Sequence, residues 1–346
     1  MNILVFGKDG QLGKAFKAVF DASKLGELHR ITYVGREQCD LSNANAITAL
    51  LNELKPNLII NAAAYTAVDK AETEVDLAYA INASAPEVIA IYAKQHGATL
   101  LYYSTDYVFD GSKKEPYVES DPRNPLGVYG KSKAAGEKAI ESIFTTNHKN
   151  NAELGEFGQK AKHAQYAILR TSWVYGDGSN FIRTILRLAK ERETLGVITD
   201  QYGVPSSADW LAKVSLALVL NEEHELRSFP SGIYHAVPLG ETSWHALACY
   251  TVQTAINAGT ALKLRPEAIE AIPSTDYPLP APRPMNSRMW RGADAALDRV
   301  LNKATHKTLI KVQEGSVSVT KLALLEQSWE PQVAAYVQDL VHRKLI

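Results

Sequence analysis

The stretch NILVFGKDGQLG, residues 2–13, decides the fold. Its first five residues, NILVF, are rich in Ile, Leu, Val and Phe, the composition of a strand buried on both faces of a parallel sheet. Gly7, Gly10 and Gly13 follow, and a helical run extends from Lys14 to about Asp21. A glycine-rich turn between a first strand and a first helix lets backbone amides approach a pyrophosphate closely. The helix N-terminus adds favourable dipole charge.

The same alternation continues outward through the first half. Strand-like apolar runs occur at 2–6, 31–35, 57–62, 98–104 and 166–170, with helical runs at about 13–22, 43–54, 76–96 and 130–144. This βαβ rhythm predicts an α/β fold, a Rossmann-type doubly wound parallel sheet with a smaller C-terminal substrate-binding lobe. The expected division is 1–172 for a dinucleotide-binding domain and 173–346 mainly for the lobe, with some segments returning to the first domain. Residues 145–164 are polar and lack an apolar period, and they read as an inserted surface excursion. Prolines cluster at 273–284, which argues for an irregular extended stretch. Residues 303–325 alternate in places and read as a small hairpin.

Composition bounds the function classes. Of 346 residues, 46% are hydrophobic and 22% charged, as in soluble globular proteins. A net charge of −1 gives no field favouring nucleic acid or an acidic membrane surface. No apolar run approaches the roughly 20 residues that span a bilayer. The two cysteines, Cys39 and Cys249, have no metal-ligand spacing, so no metal site is expected. A thiol-poor chain that begins directly with a strand is expected in the cytoplasm.

Two further motifs carry chemistry. In YGKSKAAGE, residues 129–137, Tyr129 and Lys133 stand four apart at the head of a helical run, so both lie on one helix face. An ammonium group there can lower a phenol pKa from about 10 towards working pH. Such a phenol can donate a proton to a carbonyl oxygen. By itself the spacing also suits an ordinary exposed pair. It gains weight from STDYVFDG, residues 104–111, where Ser104, Thr105 and Asp106 project from the C-terminal end of a central strand. Ligands bind there in open α/β sheets. Ala62, Ala63 and Ala64, after the strand at 57–62, allow a close backbone approach or serve tight packing.

With these motifs in place, the chain resembles the dTDP-4-dehydrorhamnose reductase family of the extended short-chain dehydrogenases/reductases. The glycine spacing G-x-x-G-x-x-G is the one that superfamily uses. The matching stretches are GKDGQLG, CDLSN, NAAAYTAVDKAE, YSTDYVFDG, YGKSKAAGE, LRTSWVYG, NFIRTILRLA, DQYGVPSSA and RPMNSR. They run from residue 1 to about 290, and weakly again near the C-terminus. The family reduces a nucleotide-linked 4-keto-6-deoxy sugar, making dTDP-L-rhamnose for bacterial surface polysaccharide.

The resemblance implies roles for particular residues. Gly7, Gly10, Gln11, Leu12 and Gly13 would wrap the pyrophosphate. Asp40 and Leu41 would lie along the adenosine, and Ala62, Ala63 and Ala64 along the cofactor's middle. Thr105, Tyr129 and Lys133 would form the catalytic triad, with Asp106 beside it and Trp173 touching the sugar. Tyr129 would donate the proton, Lys133 would hold the ribose, and Thr105 would orient the carbonyl while the nicotinamide supplies hydride. Arg36, after the second strand, suits the 2′-phosphate of NADPH, with NADH also usable. His235 receives no role.

The chain also departs from the family. Some members dimerise around a magnesium ion held by glutamates, one of them just after the glycine loop. Here Lys14, Ala15 and Phe16 stand in that place, so Mg2+ is not expected and a monomer or a different homodimer is. Tyr107 follows Asp106 where dehydratases of the superfamily carry glutamate. Two alternatives remain open at this point: a reductase of another nucleotide 4-keto-6-deoxysugar, and a non-catalytic NADP-binding regulatory subunit.

Overall fold

In the computed structural model, all residues are described except 24, 146–163, 278, 292–293 and 304–323. The main elements are β1 (Asn2–Phe6), α1 (Gln11–Asp21), β2 (Arg30–Val34), α2 (Ala44–Leu54), β3 (Leu58–Asn61), α3 (Ala85–Gln95), β4 (Thr99–Thr105), α4 (Val128–Thr145), β5 (Gln165–Thr171), α5 (Phe181–Glu191), α6 (Ala208–Val219), β6 (Gly232–His235), α7 (Trp244–Asn257) and α8 (Trp329–His342). Six strands form one parallel sheet in the order β6-β5-β4-β3-β1-β2. The strand order reverses between β1 and β3, and the crevice at such a switch point is where ligands bind.

Alternate residues on each strand feed opposite layers, as the period of two requires. Ile3, Val5, Leu58, Ile60, Leu101 and Leu169 pack with Phe16 and Phe20 of α1 and Leu211, Val214 and Leu218 of α6. Leu4, Phe6, Ile59, Leu100 and Ile168 pack with Ile47 and Leu51 of α2, Ile89 and Ala93 of α3, and Ile140 of α4. A separate core gathers Ile182, Ile185 and Leu186 of α5 with Leu247 and Val252 of α7 and Val333, Val337 and Leu340 of α8. Thus α6 and β6, both from the second half of the chain, complete the sheet layer, while α5, α7 and α8 build the lobe.

The helix expected over 76–96 is broken into Val75–Tyr79, a π turn over Ala80–Ser84, and α3. The cause is chemical. Pro86 has no N–H to give to the carbonyl of Asn82, four residues earlier. That carbonyl instead accepts from Tyr102 Oη at 2.9 Å. The Asn82 side chain is buried and pairs with the Tyr65 backbone at 2.9 and 3.0 Å and with Ser132 Oγ at 3.1 Å. The break therefore anchors α4 to the loop after β3. The polar excursion expected at 145–164 and the hairpin expected at 303–325 fall almost wholly outside the described residues. The proline cluster at 273–284 holds one short 3-10 turn, Ser274–Asp276.

A buried ion cluster ties α4 to β5. Glu137 takes Arg170 Nη2 at 2.7 Å and Nε at 3.0 Å, and Arg123 Nε at 2.5 Å. Burial alone would raise the Glu137 carboxyl pKa, but Arg170 and then Arg123 overcome this and hold it below its usual range. Next to it in the chain, Gly136 lets α4 approach the Asn82 backbone. An added Cβ would collide with the Asn82 carbonyl and Tyr102 Oη. Gly136→Ala should therefore lower unfolding free energy by about 1–3 kcal/mol despite alanine's better helix propensity. Denaturant unfolding of the variant checks this, and an unchanged or raised midpoint contradicts it.

Candidate active site

The glycine turn is held by its backbone. Gly7 N–H donates to the Val34 carbonyl at 2.9 Å, and Gly10 N–H to the Gly7 carbonyl at 3.0 Å. Gly7 has φ +82°, and a Cβ there would stand 2.7 Å from the Ala63 nitrogen. Gly13 packs directly on the Gly7 backbone, where no Cβ fits. Gly10 precedes α1, and neither a side-chain cap nor an acidic residue meets the first turn. The leading amides of α1 therefore remain available to an anion.

These residues open onto a cleft of about 780 Å³. Gly7, Gly10, Gln11 and Leu12 line its floor, Arg36, Asp40 and Leu41 one end, and Ala62, Ala63 and Ala64 its middle. Tyr129 and Lys133 line it as well. Arg36 is largely exposed and stands 3.7 Å from Asp40. Two hydrogen bonds from Ser42, backbone and hydroxyl, hold the Asp40 carboxyl below its usual pKa, with Arg36 adding to them.

At the other end of the cleft, α4 sets Tyr129 and Lys133 on one face, four residues apart. Gly130 lets the helix start against the Tyr107 carbonyl. Lys133 is buried and donates to the Tyr103 carbonyl at 2.5 Å, with its Nζ 4.3 Å from the centre of the Tyr102 ring. Burial lowers its pKa to about 7, against a smaller opposing effect of Glu137. Burial raises the Tyr129 phenol to about 12; Thr105 draws it down in part and Asp106 pushes it up. The expectation that Lys133 depresses the phenol is not met. Desolvation dominates, and the ammonium is occupied by a backbone carbonyl.

Thr105 ends β4, donates to Asp106 Oδ1 at 3.0 Å and caps the Tyr107 amide at 3.2 Å. Asp106 is buried, which raises its carboxyl to about 6 although Ser287 and Thr105 stabilise the anion. Thr105 and Asp106 sit beside Tyr129 but not in the wall of the cleft. Trp173 is also outside that wall. It has φ +46°, and its ring stacks on Trp244 at 3.6 Å. Among cleft residues the motifs did not single out are Thr171 and the turn Asp177–Ser179. Thr171 pairs in register with Thr105 on the neighbouring strand. Its place at the end of the LRTSWVYG strand was the available signal.

The family model described as RmlD substrate binding domain matches residues 1–308. The dTDP-4-dehydrorhamnose reductase of Salmonella typhimurium is 42% identical over 294 residues, covering 84% of this chain and 89% of that protein. The chain belongs to the dTDP-4-dehydrorhamnose reductase family. A crystal structure of a reductase of this family from Clostridium acetobutylicum superposes with TM-score 0.76 at 31% identity, covering 99% of this chain and all of that one. The Bacillus anthracis reductase, solved in complex with NADP, gives 0.71 at 30% identity, covering 87% and 97%.

The residues of this reductase-family cleft fit a nicotinamide dinucleotide. The uncapped start of α1 suits its pyrophosphate. Thr171 Oγ1 is buried in the cleft wall with no hydrogen-bond partner among the described residues, and so offers a polar group an otherwise missing contact. Lys14, just after the glycine loop, stands 3.8 Å from Asp177. Among the described residues no group of three or more His, Cys, Asp or Glu could hold a metal ion, and no helix is long and apolar enough to cross a membrane.

The depressed Lys133 pKa has a consequence for stability. An unfolded lysine titrates at about 10.4. Between pH 7 and that value the unfolded chain holds one proton more than the folded chain, so stability rises with pH across this window. Below pH 7 both states are protonated and the full cost of the buried charge remains. Lys133→Met removes the charge. Relative to wild type, the variant's unfolding free energy should fall as pH rises from 7 to 9.5, by up to about 1 kcal/mol per pH unit. Urea unfolding of the cofactor-free proteins measures this, and parallel pH profiles contradict it.

Proposed function

We propose that the protein reduces the C4 ketone of dTDP-4-dehydro-6-deoxy-L-mannose to dTDP-L-rhamnose, with NADPH preferred and NADH usable. The supporting observation is that Tyr129 and Lys133, with Thr105 beside Tyr129, line the same cleft onto which the free amides of α1 open. Membership of a family whose relatives bear this name supports the substrate. When bound, the nicotinamide supplies the hydride. Tyr129 gives its phenolic proton to the C4 oxygen, so that ketone, hydride and proton balance to an alcohol. A phenol held near 12 is protonated throughout the neutral range, the form a donor needs. Thr105 hydrogen-bonds the carbonyl and fixes its orientation. Lys133 holds the cofactor ribose and, when charged, stabilises the phenolate left behind. Asp106 and Trp173 contact the sugar.

Gly7, Gly10, Gln11, Leu12 and Gly13 would hold the pyrophosphate, Asp40 and Leu41 the adenosine, and Ala62–Ala64 the middle of the cofactor. Residues 1–172 serve mainly the dinucleotide and 173–346 mainly the nucleotide sugar. The protein works in the cytoplasm as a monomer or as a homodimer without a magnesium bridge, since Lys14 would repel a cation.

Tyr129→Phe should lower kcat by about 10²–10⁴ while leaving NADPH affinity within a few-fold of wild type. NADPH consumption at 340 nm with the keto sugar nucleotide reads this. No oxidation by folded wild-type protein that binds NADPH would sink the substrate assignment. Arg36→Ala should cut kcat/KM with NADPH about tenfold and leave NADH nearly unchanged, because only the former carries the 2′-phosphate that Arg36 pairs with. Equal losses with both cofactors would contradict that role.

A further inference from the structure

The motif NFIRTILRLA begins with Asn180, to which the mechanism gives no task. Its side-chain oxygen accepts from the Arg183 amide at 3.0 Å and caps α5. That bond fixes the amide's orientation, because only its oxygen can accept from an N–H. The nitrogen then faces four acceptors: Gln11 Oε1 at 3.1 Å, the Gly176 carbonyl at 3.0 Å, the Gly178 carbonyl at 3.2 Å and Tyr336 Oη at 3.0 Å. Two N–H groups serving four acceptors cannot be replaced by a simple helix cap.

The four acceptors belong to three parts of the site: the start of α1, the turn at 174–179, and α8. Gln11 lies in the glycine turn at the start of α1, and its own Nε2 donates to the Val174 carbonyl at 3.3 Å. Val174, Asp177 and Gly178 form the facing wall of the cleft. Tyr336 is on α8, beyond the residues matched by the family model. Its hydroxyl donates to the Gly176 carbonyl at 2.6 Å and accepts from Arg183 Nε at 2.9 Å. One amide therefore ties both walls of the cleft, at the level of the α1 amides, to the lobe helices α5 and α8.

We propose that Asn180 is a positioning residue for the dinucleotide: with Tyr336 it clamps the turn at 174–179 against Gln11 and so sets the width of the cleft where the pyrophosphate binds. This rests on the cofactor site proposed above, not on the sugar assignment. Cofactor affinity is thereby coupled to the seating of the lobe helices. A ligand that spans the cleft gains from walls already held at the right separation.

The test is NADPH binding without any sugar, followed by cofactor fluorescence. Asn180→Asp keeps an N-cap acceptor but loses both donors. Asn180→Ser also caps α5 but is too short to bridge the cleft. Tyr336→Phe removes the second half of the clamp. Both Asn180 variants should raise the NADPH Kd about tenfold with Tm within a few degrees of wild type. At saturating cofactor kcat should stay within threefold, so the loss appears in KM. Tyr336→Phe should raise Kd by less, and the loss in the Asn180→Ser/Tyr336→Phe double variant should be smaller than the two single losses combined, since both act through one clamp. A wild-type Kd in folded Asn180→Ser and Tyr336→Phe, or losses that simply add, would overturn the proposal. So would a lowered Tm with unchanged Kd, which marks a helix cap and nothing more. A failure to turn over the keto sugar would leave these binding results standing and would count only against the substrate.

Discussion

Everything at the site depends on how closely three backbones approach at the C-terminal ends of β1, β2 and β3. Gly7 bonds to Val34 on one side and leaves no room for a side chain against Ala63 on the other. Gly13 closes the turn by packing on Gly7 itself. These contacts aim α1 at the crevice with its leading amides unshared. Small residues are needed at Ala62–Ala64 for the same reason: the strand ends form the floor of a narrow cleft, and a larger side chain would fill it.

The other end of the cleft is built at an electrostatic cost. Lys133 is buried against the Tyr102 ring, Asp106 is buried beside Tyr129, and Glu137 is buried one turn past Lys133 along α4. Only Glu137 is fully compensated, by two arginines. The other two keep perturbed acidities, which is the pattern found where burial serves proton transfer rather than stability. The buried amide of Asn82 keeps α4 in place under this load.

Much of this was legible in the sequence, because it is local. The strands β1 to β5, the glycine spacing and the four-residue step from Tyr129 to Lys133 depend on neighbours along the chain. The features that escaped are set by partners far away. The break at Ala80–Ser84 needs the Tyr102 hydroxyl to donate to the Asn82 carbonyl the bond that Pro86 cannot. The raised Tyr129 phenol needs burial that a helix pattern does not reveal, and Lys133 turns to a carbonyl on β4. Nothing beside Thr171 or Asn180 in the sequence marks a role for either, since their surroundings are set by distant parts of the chain.

The return of α6 and β6 to the sheet has a bearing on how such a protein could be cut and recombined. Ending the chain at residue 172 would strip Leu211, Val214 and Leu218 from one face of the sheet and leave β5 as a bare edge. An exposed apolar face beside an unpaired strand invites self-association rather than independent folding. The first half of the chain is therefore not a cassette. Chimeras that exchange the two halves must carry α6 and β6 with the first, and place their junctions in the loops on either side of them.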